Sequence, residues 1–182
     1  MKANEYEMLD TLKSRKFLIP LICFLTVVAG LFFIVSTWNV NRIKELDTSY
    51  CIKDSASNYQ YSIDEFYYED TSIYLKDNIV HMSGWFTKVK ANIDEVSIKV
   101  VFQDMQTEKY YIMPTLMSQR EDVISFVNGE YNHRYSGFSM DVEYKRLNKD
   151  TDYKIFILYD LNGKYYLVDM NSTLKTSGYR YG

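Results

Sequence analysis

The chain has 182 residues, a formal net charge of −3 and 16% aromatic residues, with only two Pro and seven Gly. That length holds one ordinary domain beside an anchor, and the weak acidity lacks the basic stripe that nucleic acid requires. The aromatic content excludes low-complexity disorder for the bulk of the chain.

Residues 1–16 read as a polar tail ending in Lys13, Arg15 and Lys16. Phe17 to Trp38 follows without a single charge. At ~1.5 Å per residue such a helix is about 33 Å long, enough to cross a hydrocarbon core of about 30 Å. Pro20 falls in the first turn of this span, where a missing N–H costs least. Trp38 falls at the far interface, which suits an amphipathic ring, and Gly30 offers one point of close helix approach. A cleaved signal has a shorter apolar region, about 7–15 residues. Cleavage after Ala29-Gly30 would leave Leu31-Phe32-Phe33-Ile34-Val35 as an apolar stump. The sequence therefore predicts an uncleaved signal anchor, a single pass through the lipid bilayer of the cell membrane. Three basic residues before the span against Arg42 and Lys44 beyond it predict a cytoplasmic N-terminus and an extracellular C-terminal domain.

Cys23 lies inside the span and Cys51 beyond it. A bilayer between them forbids an intramolecular disulfide, so the outer domain rests on burial. Cys51 reads as a free thiol in a linker, with pairing between two chains as the alternative.

Residues 39–70 read as a polar linker, with a first short strand conceivable at Ser62 to Phe66. The acidic residues Asp64, Glu65, Glu69 and Asp70 lack the Gly-containing spacing of a calcium loop. Residues 71–170 read as the folded domain, where the period changes to two. Ile79 to Trp85 predicts a strand. Val96, Ile98, Val100 and Phe102 alternate with Ser97, Lys99, Val101 and Gln103, marking one buried face. Lys109 to Met113 ends at Pro114. Phe138, Met140, Val142 and Tyr144 alternate with polar partners. Tyr153 to Tyr159 and Lys164 to Met170 flank Asn162-Gly163, a hairpin turn with positive φ. The interval Leu116 to Arg134 has no clear period and is expected to hold a helical turn at Arg120 to Phe126 and to cross between sheets. Residues 171–182 read as a loosely held tail. The fold class is mainly β: an antiparallel, immunoglobulin-like sandwich of about seven strands, with a small barrel as runner-up.

The sequence offers no catalytic constellation. His81 and His133 lack the company of a zinc site, and there is no nucleophile elbow and no phosphate-cradling Gly loop. Neither an enzyme nor a cofactor or metal is expected. The tyrosine pairs Tyr110-Tyr111 and Tyr165-Tyr166, with Tyr131 and Tyr135, are candidate contacts. Adjacent strand residues point to opposite faces, so one ring of each pair should be exposed, where a ring with a hydroxyl suits a sugar or a protein.

One further pattern joins them: Gly84-Trp85, then Arg120-Glu121-Asp122-Val123 with Phe126, then Ser136-Gly137-Phe138, then a hairpin with a Tyr-Tyr return. Arg120 and Asp122 can pair with each other or cap the backbone. This order, over about Ile73 to Met170, resembles the extracytoplasmic β-sandwich modules of Gram-positive (Firmicutes) cell-envelope and surface-polysaccharide proteins. The resemblance implies an accessory role at the cell envelope, positioning a glycan or a glycan-assembly enzyme; Trp85, Arg120 and Asp122 join the candidate contacts, against the favoured alternative that Arg120, Asp122, Phe126 and Phe138 fix the crossover between sheets. The alternative is a structural subunit whose span packs against a polytopic membrane protein.

Overall fold

The computed structural model describes residues 15–40, 42–69, 79–91, 93–126, 133–148 and 150–176. The chain divides into two units, Met1–Arg42 and Ile43–Gly182. The first holds helix α1, Arg15–Val40. Its Leu18–Ser36 stretch is long and apolar enough to cross a membrane, and none of it is buried within the protein. The helix starts two residues before Phe17, so Pro20 lies in its second turn rather than its first. The side chains of Phe17 and Trp38 lie outside the described residues.

The second unit is mainly β. Its strands are β1 (Lys44–Leu46), β2 (Ile52–Asp54), β3 (Tyr59–Glu69), β4 (Ile79–Lys88), β5 (Val96–Asp104), β6 (Tyr110–Ile112), β7 (Thr115–Ser118), β8 (Gly137–Glu143), β9 (Tyr153–Leu161) and β10 (Lys164–Leu174), with a short helix α2 at Glu121–Phe126. They form a six-stranded sheet in the order β1-β6-β5-β9-β10-β2 and a four-stranded sheet in the order β3-β4-β8-β7. All pairs are antiparallel except β2 with β10. Neither sheet closes on itself, so the fold is no barrel.

One core lies between the sheets. Val80, Met82 and Phe86 of β4 and Phe138, Met140 and Val142 of β8 meet Ile98, Val100 and Phe102 of β5 and Ile155, Ile157 and Tyr159 of β9. These are the residues that period two places on one face, each contributing about 1.5–3 kcal/mol by leaving water. The Phe86 and Tyr159 rings meet across the two sheets with centroids 5.4 Å apart. Asn162 and Gly163 take φ of 52° and 77° at the β9–β10 turn. The Asn162 Oδ1 accepts the N–H groups of Asp94 and Glu95 and so ties that turn to the approach to β5.

Four expectations are corrected. The stretch 39–70 is not a linker: β1, β2 and β3 lie in it, and only residues 41–43 separate α1 from β1. β1 and β2 were hidden because they have three residues each, too few for a period, and the short strand expected at Ser62 to Phe66 is the middle of β3. The interval Leu116 to Arg134 does contain a helical turn, but it does not cross between sheets. β7 and β8 pair in the same sheet, and the crossing occurs between β6 and β7, at Met113-Pro114. The tail does not begin at 171. β10 continues to Leu174, and Thr176 is buried, its Oγ1 donating to the Thr151 carbonyl while its own carbonyl accepts the Tyr144 hydroxyl at 2.9 Å.

The last correction concerns the face of the large sheet turned away from the small one. An antiparallel sheet with one dry face would leave this outer face wet. Instead Val101, Phe156, Leu158 and Leu167 form a second buried cluster there with Leu46. The topology supplies the cover. β1 and β2 occupy opposite edges of the same sheet, so residues 47–51 must pass over it as a strap. Leu46 and Cys51, at the strap's two ends, pack on the cluster.

Candidate functional site

The strap has a turn in which the Cys51 N–H donates to the Thr48 carbonyl at 3.0 Å and the Ser49 N–H to Asp47 Oδ1 at 2.9 Å. This turn brings Tyr50 against Tyr165 of β10, ring centroids 5.2 Å apart and planes 82° apart. Beside the pair runs a groove of about 410 Å³, with Leu158 and Ile112 as its apolar lining and Ser97, Lys99 and Asp160 as its polar groups. Strand register builds it: Ser97 stands opposite Asp160, and Asp160 opposite Tyr165, in one row across β5, β9 and β10. Burial, then the neighbouring Cys51, Tyr165 and Asp47, hold the Tyr50 hydroxyl above its ordinary pKa, so it stays a neutral donor. Cys51 is a free thiol, half-buried, and burial pushes its pKa up, which lowers its reactivity.

The other candidates are dispersed. Tyr110 packs edge-on against Phe156, 5.4 Å between centroids, in the outer-face cluster. Its neighbour Tyr111 turns toward the inner core and lines a separate cavity of about 330 Å³ with Asp104, Arg146 and Tyr153. Both rings of that pair are half-buried, so the expected exposed member is absent. Tyr166 is half-buried beneath Lys88, whose Nζ stands 3.9 Å from its ring centroid. Lys88 also reaches Asp54 at 3.3 Å, so Tyr166 belongs to a link between the sheets. Tyr135 is exposed and accepts a hydrogen bond from Gln119 at 2.9 Å. Tyr131 lies outside the described residues.

Arg120 and Asp122 do come together. The guanidinium makes a two-pronged contact to Asp122, Nε to Oδ1 at 2.8 Å and Nη2 to Oδ2 at 2.6 Å. Its Nη1 donates to Asp64 of β3 at 2.6 Å. Hydrogen bonding to Arg120 holds the Asp122 carboxyl below its ordinary pKa. Arg120 follows β7 and Asp64 lies on β3, the opposite edge of the small sheet, so their ion pair ties the two edges together. Trp85 lies half-buried on the same outer face, opposite Gly137 and Ser62. The pattern Arg-x-Asp with Ser-Gly-Phe is thereby explained as a brace.

His81, on that face too, stacks on Tyr67 at 4.8 Å and stands 2.6 Å from Asp141. Among the described residues no group of three or more His, Cys, Asp and Glu is arranged to hold a metal ion. The groove residues missed from sequence are Tyr50, Ser97, Lys99 and Asp160. The three on strands were legible as the outward set alternating with Ile98, Val100, Ile157 and Tyr159. Tyr50 had no signal, because the strap has no period. No family model, no curated protein and no solved structure matches this chain.

Proposed function

We propose that this chain is a membrane-anchored, non-catalytic binding module of the cell envelope. α1 is the single span, the N-terminus is cytoplasmic, and the β unit is extracellular, holding an envelope glycan. The groove between Tyr50 and Tyr165 carries the binding part of this reading: an aromatic corner beside a carboxylate, a lysine and a hydroxyl is the chemistry that a sugar ring requires. The resemblance of the Gly-Trp, Arg-x-Asp and Ser-Gly-Phe pattern to Firmicutes envelope modules supplies the setting.

The module is read as immunoglobulin-like. Taking β3 to β10 as strands A, B, C, C′, D, E, F and G, the small sheet runs A-B-E-D and the large one C′-C-F-G, flanked by β1 and β2. Tyr153 supports it: it opens β9, strand F, and its hydroxyl accepts the Asn148 N–H at 2.8 Å from the preceding corner. A tyrosine reaching back to the backbone at this corner is a mark of such folds.

The full chain in lipid nanodiscs should bind polysaccharide extracted from a Gram-positive envelope, measured by calorimetry, and a protease added outside cells should cleave the β unit. Absence of glycan binding would remove the binding reading. Co-purification with a polytopic membrane protein in that event would favour the second reading, an assembly subunit; the uniformly exposed apolar surface of Leu18–Ser36 is the feature that favours it.

A further inference from the structure

The groove's own chemistry narrows what it holds. Neighbouring strands lie about 4.8 Å apart, so the row Ser97, Asp160, Tyr165 is about 10 Å wide. The next row on the same face is Lys99, Leu158, Leu167, which puts an apolar floor beside the polar row. Tyr50 is 51% exposed and Tyr165 38%, and their perpendicular rings make a corner with two apolar walls and two hydroxyls. The groove lies on a sheet face and is not an enclosed cavity, so it admits an internal unit of a chain.

The central group of the polar row is a carboxylate. Asp160 Oδ1 accepts the Gly163 N–H at 3.1 Å, which holds it in place. A carboxylate has capacity for about four hydrogen bonds. It takes them from hydroxyls and repels an anion set beside it. Lys99, exposed at the other side, can donate to hydroxyl or ring oxygens.

We propose that the groove binds an uncharged hexopyranose unit of a polysaccharide. The C–H face of the ring packs into the Tyr50–Tyr165 corner, its hydroxyls donate to Asp160, and its oxygens accept from Lys99 and Ser97. This rests on the reading of the chain as a glycan-binding module and narrows it to neutral glycans.

The test uses the full chain in nanodiscs, titrated with neutral hexasaccharides of glucose, galactose and mannose and with two acidic probes, oligogalacturonate and polyglycerol phosphate. At least one neutral probe should bind more tightly than both acidic ones. Tyr165→Ala should weaken it about tenfold, the loss of one aromatic contact. Asp160→Asn should weaken the neutral probe and strengthen the acidic ones. Tyr165→Phe keeps the ring and should bind within about threefold of wild type. It guards against loss of fold in the alanine variant, as does a thermal melt of each protein. Leu116→Ala, exposed on β7 of the other sheet, should change nothing. Tighter binding of an acidic probe overturns the neutral-sugar assignment and leaves the glycan-binding reading standing. Neutral binding indifferent to Tyr165 and Asp160 overturns the site. Failure of every probe removes both.

Discussion

Gly137 lies beneath the Arg120 side chain. A Cβ on Gly137 would stand 2.8 Å from Arg120 Cγ and 3.0 Å from the Ser118 carbonyl oxygen, and would strike Ser118 Oγ. Arg120 then continues to Asp64 on the far edge strand. Gly137→Ala should therefore dislodge the brace and cost about 1–3 kcal/mol by overpacking, read from the denaturant midpoint. Arg120→Ala should cost less, because its ion pairs are partly solvated. In the double variant the two losses should fall short of additive, since removing the arginine relieves the Cγ contact while those to Ser118 remain. Strict additivity would show that the two positions do not share this space.

Tyr153→Phe should destabilise the β unit by about 1–3 kcal/mol. Its hydroxyl accepts the Asn148 N–H, and the ring is otherwise buried beside Phe102. The phenylalanine keeps the packing and leaves that donor without its partner. A melting temperature equal to wild type would mean that water replaces the hydroxyl at no cost.

Acid should weaken the fold in two steps. Burial holds the His133 imidazole below its ordinary pKa, 2.6 Å from Thr87 Oγ1. As pH falls through about 6.5 the unfolded chain gains a proton that the folded chain refuses, so stability declines. Asp104 acts lower. Burial works to raise its pKa, but the N–H groups of Thr107 and Gln106 and the Thr151 hydroxyl outweigh that and hold it below its ordinary value. Its contribution is present above about pH 3.9 and is lost as pH drops below. Melting temperature against pH should show both declines. His133→Gln should abolish the upper one and Asp104→Asn should flatten the lower. An unchanged slope between pH 6.5 and 5 in His133→Gln would exclude the histidine.

A chain ending at Met170 should be less stable by at least about 3 kcal/mol than one ending at Thr176. The first loses the pairing of Ser172, Thr173 and Leu174 with Ile155, Lys154 and Tyr153. It also loses the Thr176 N–H donated to Asp152 and the carbonyl that accepts the Tyr144 hydroxyl. Equal melting temperatures for the two truncations would contradict that role.

β4, β5, β8, β9 and the near half of β10 were legible because each packs one face in a long alternation. Of β3 only Ser62 to Phe66 was legible, although the strand has eleven residues. Its register shifts between Ile63 and Glu65, so Tyr59, Tyr61 and Ile63 follow one phase and Phe66 another. A bulge of this kind erases a period of two at its midpoint. The far half of β10 shifts in the same way between Asp169 and Ser172, with Asn171 at φ 51°, and so read as a tail. Of the groove, Tyr165 could be named from its place beside Tyr166. Its partner Tyr50 is 115 positions away on an aperiodic strap, and only the topology that sends β1 and β2 to opposite edges unites them.

That strap also sets where the molecule yields under load. Tension passed along the backbone from Val40 arrives first at β1, held to β6 by three paired residues on an outside edge. Once Leu46 lifts from the outer cluster, the pull falls on residues 47–51, and with them on Tyr50, the movable wall of the groove. The Tyr50 side of the groove is thus the second link in the line of force, ahead of the core strands β5 and β9, so tension arriving from α1 would open the groove before it unfolds the β unit.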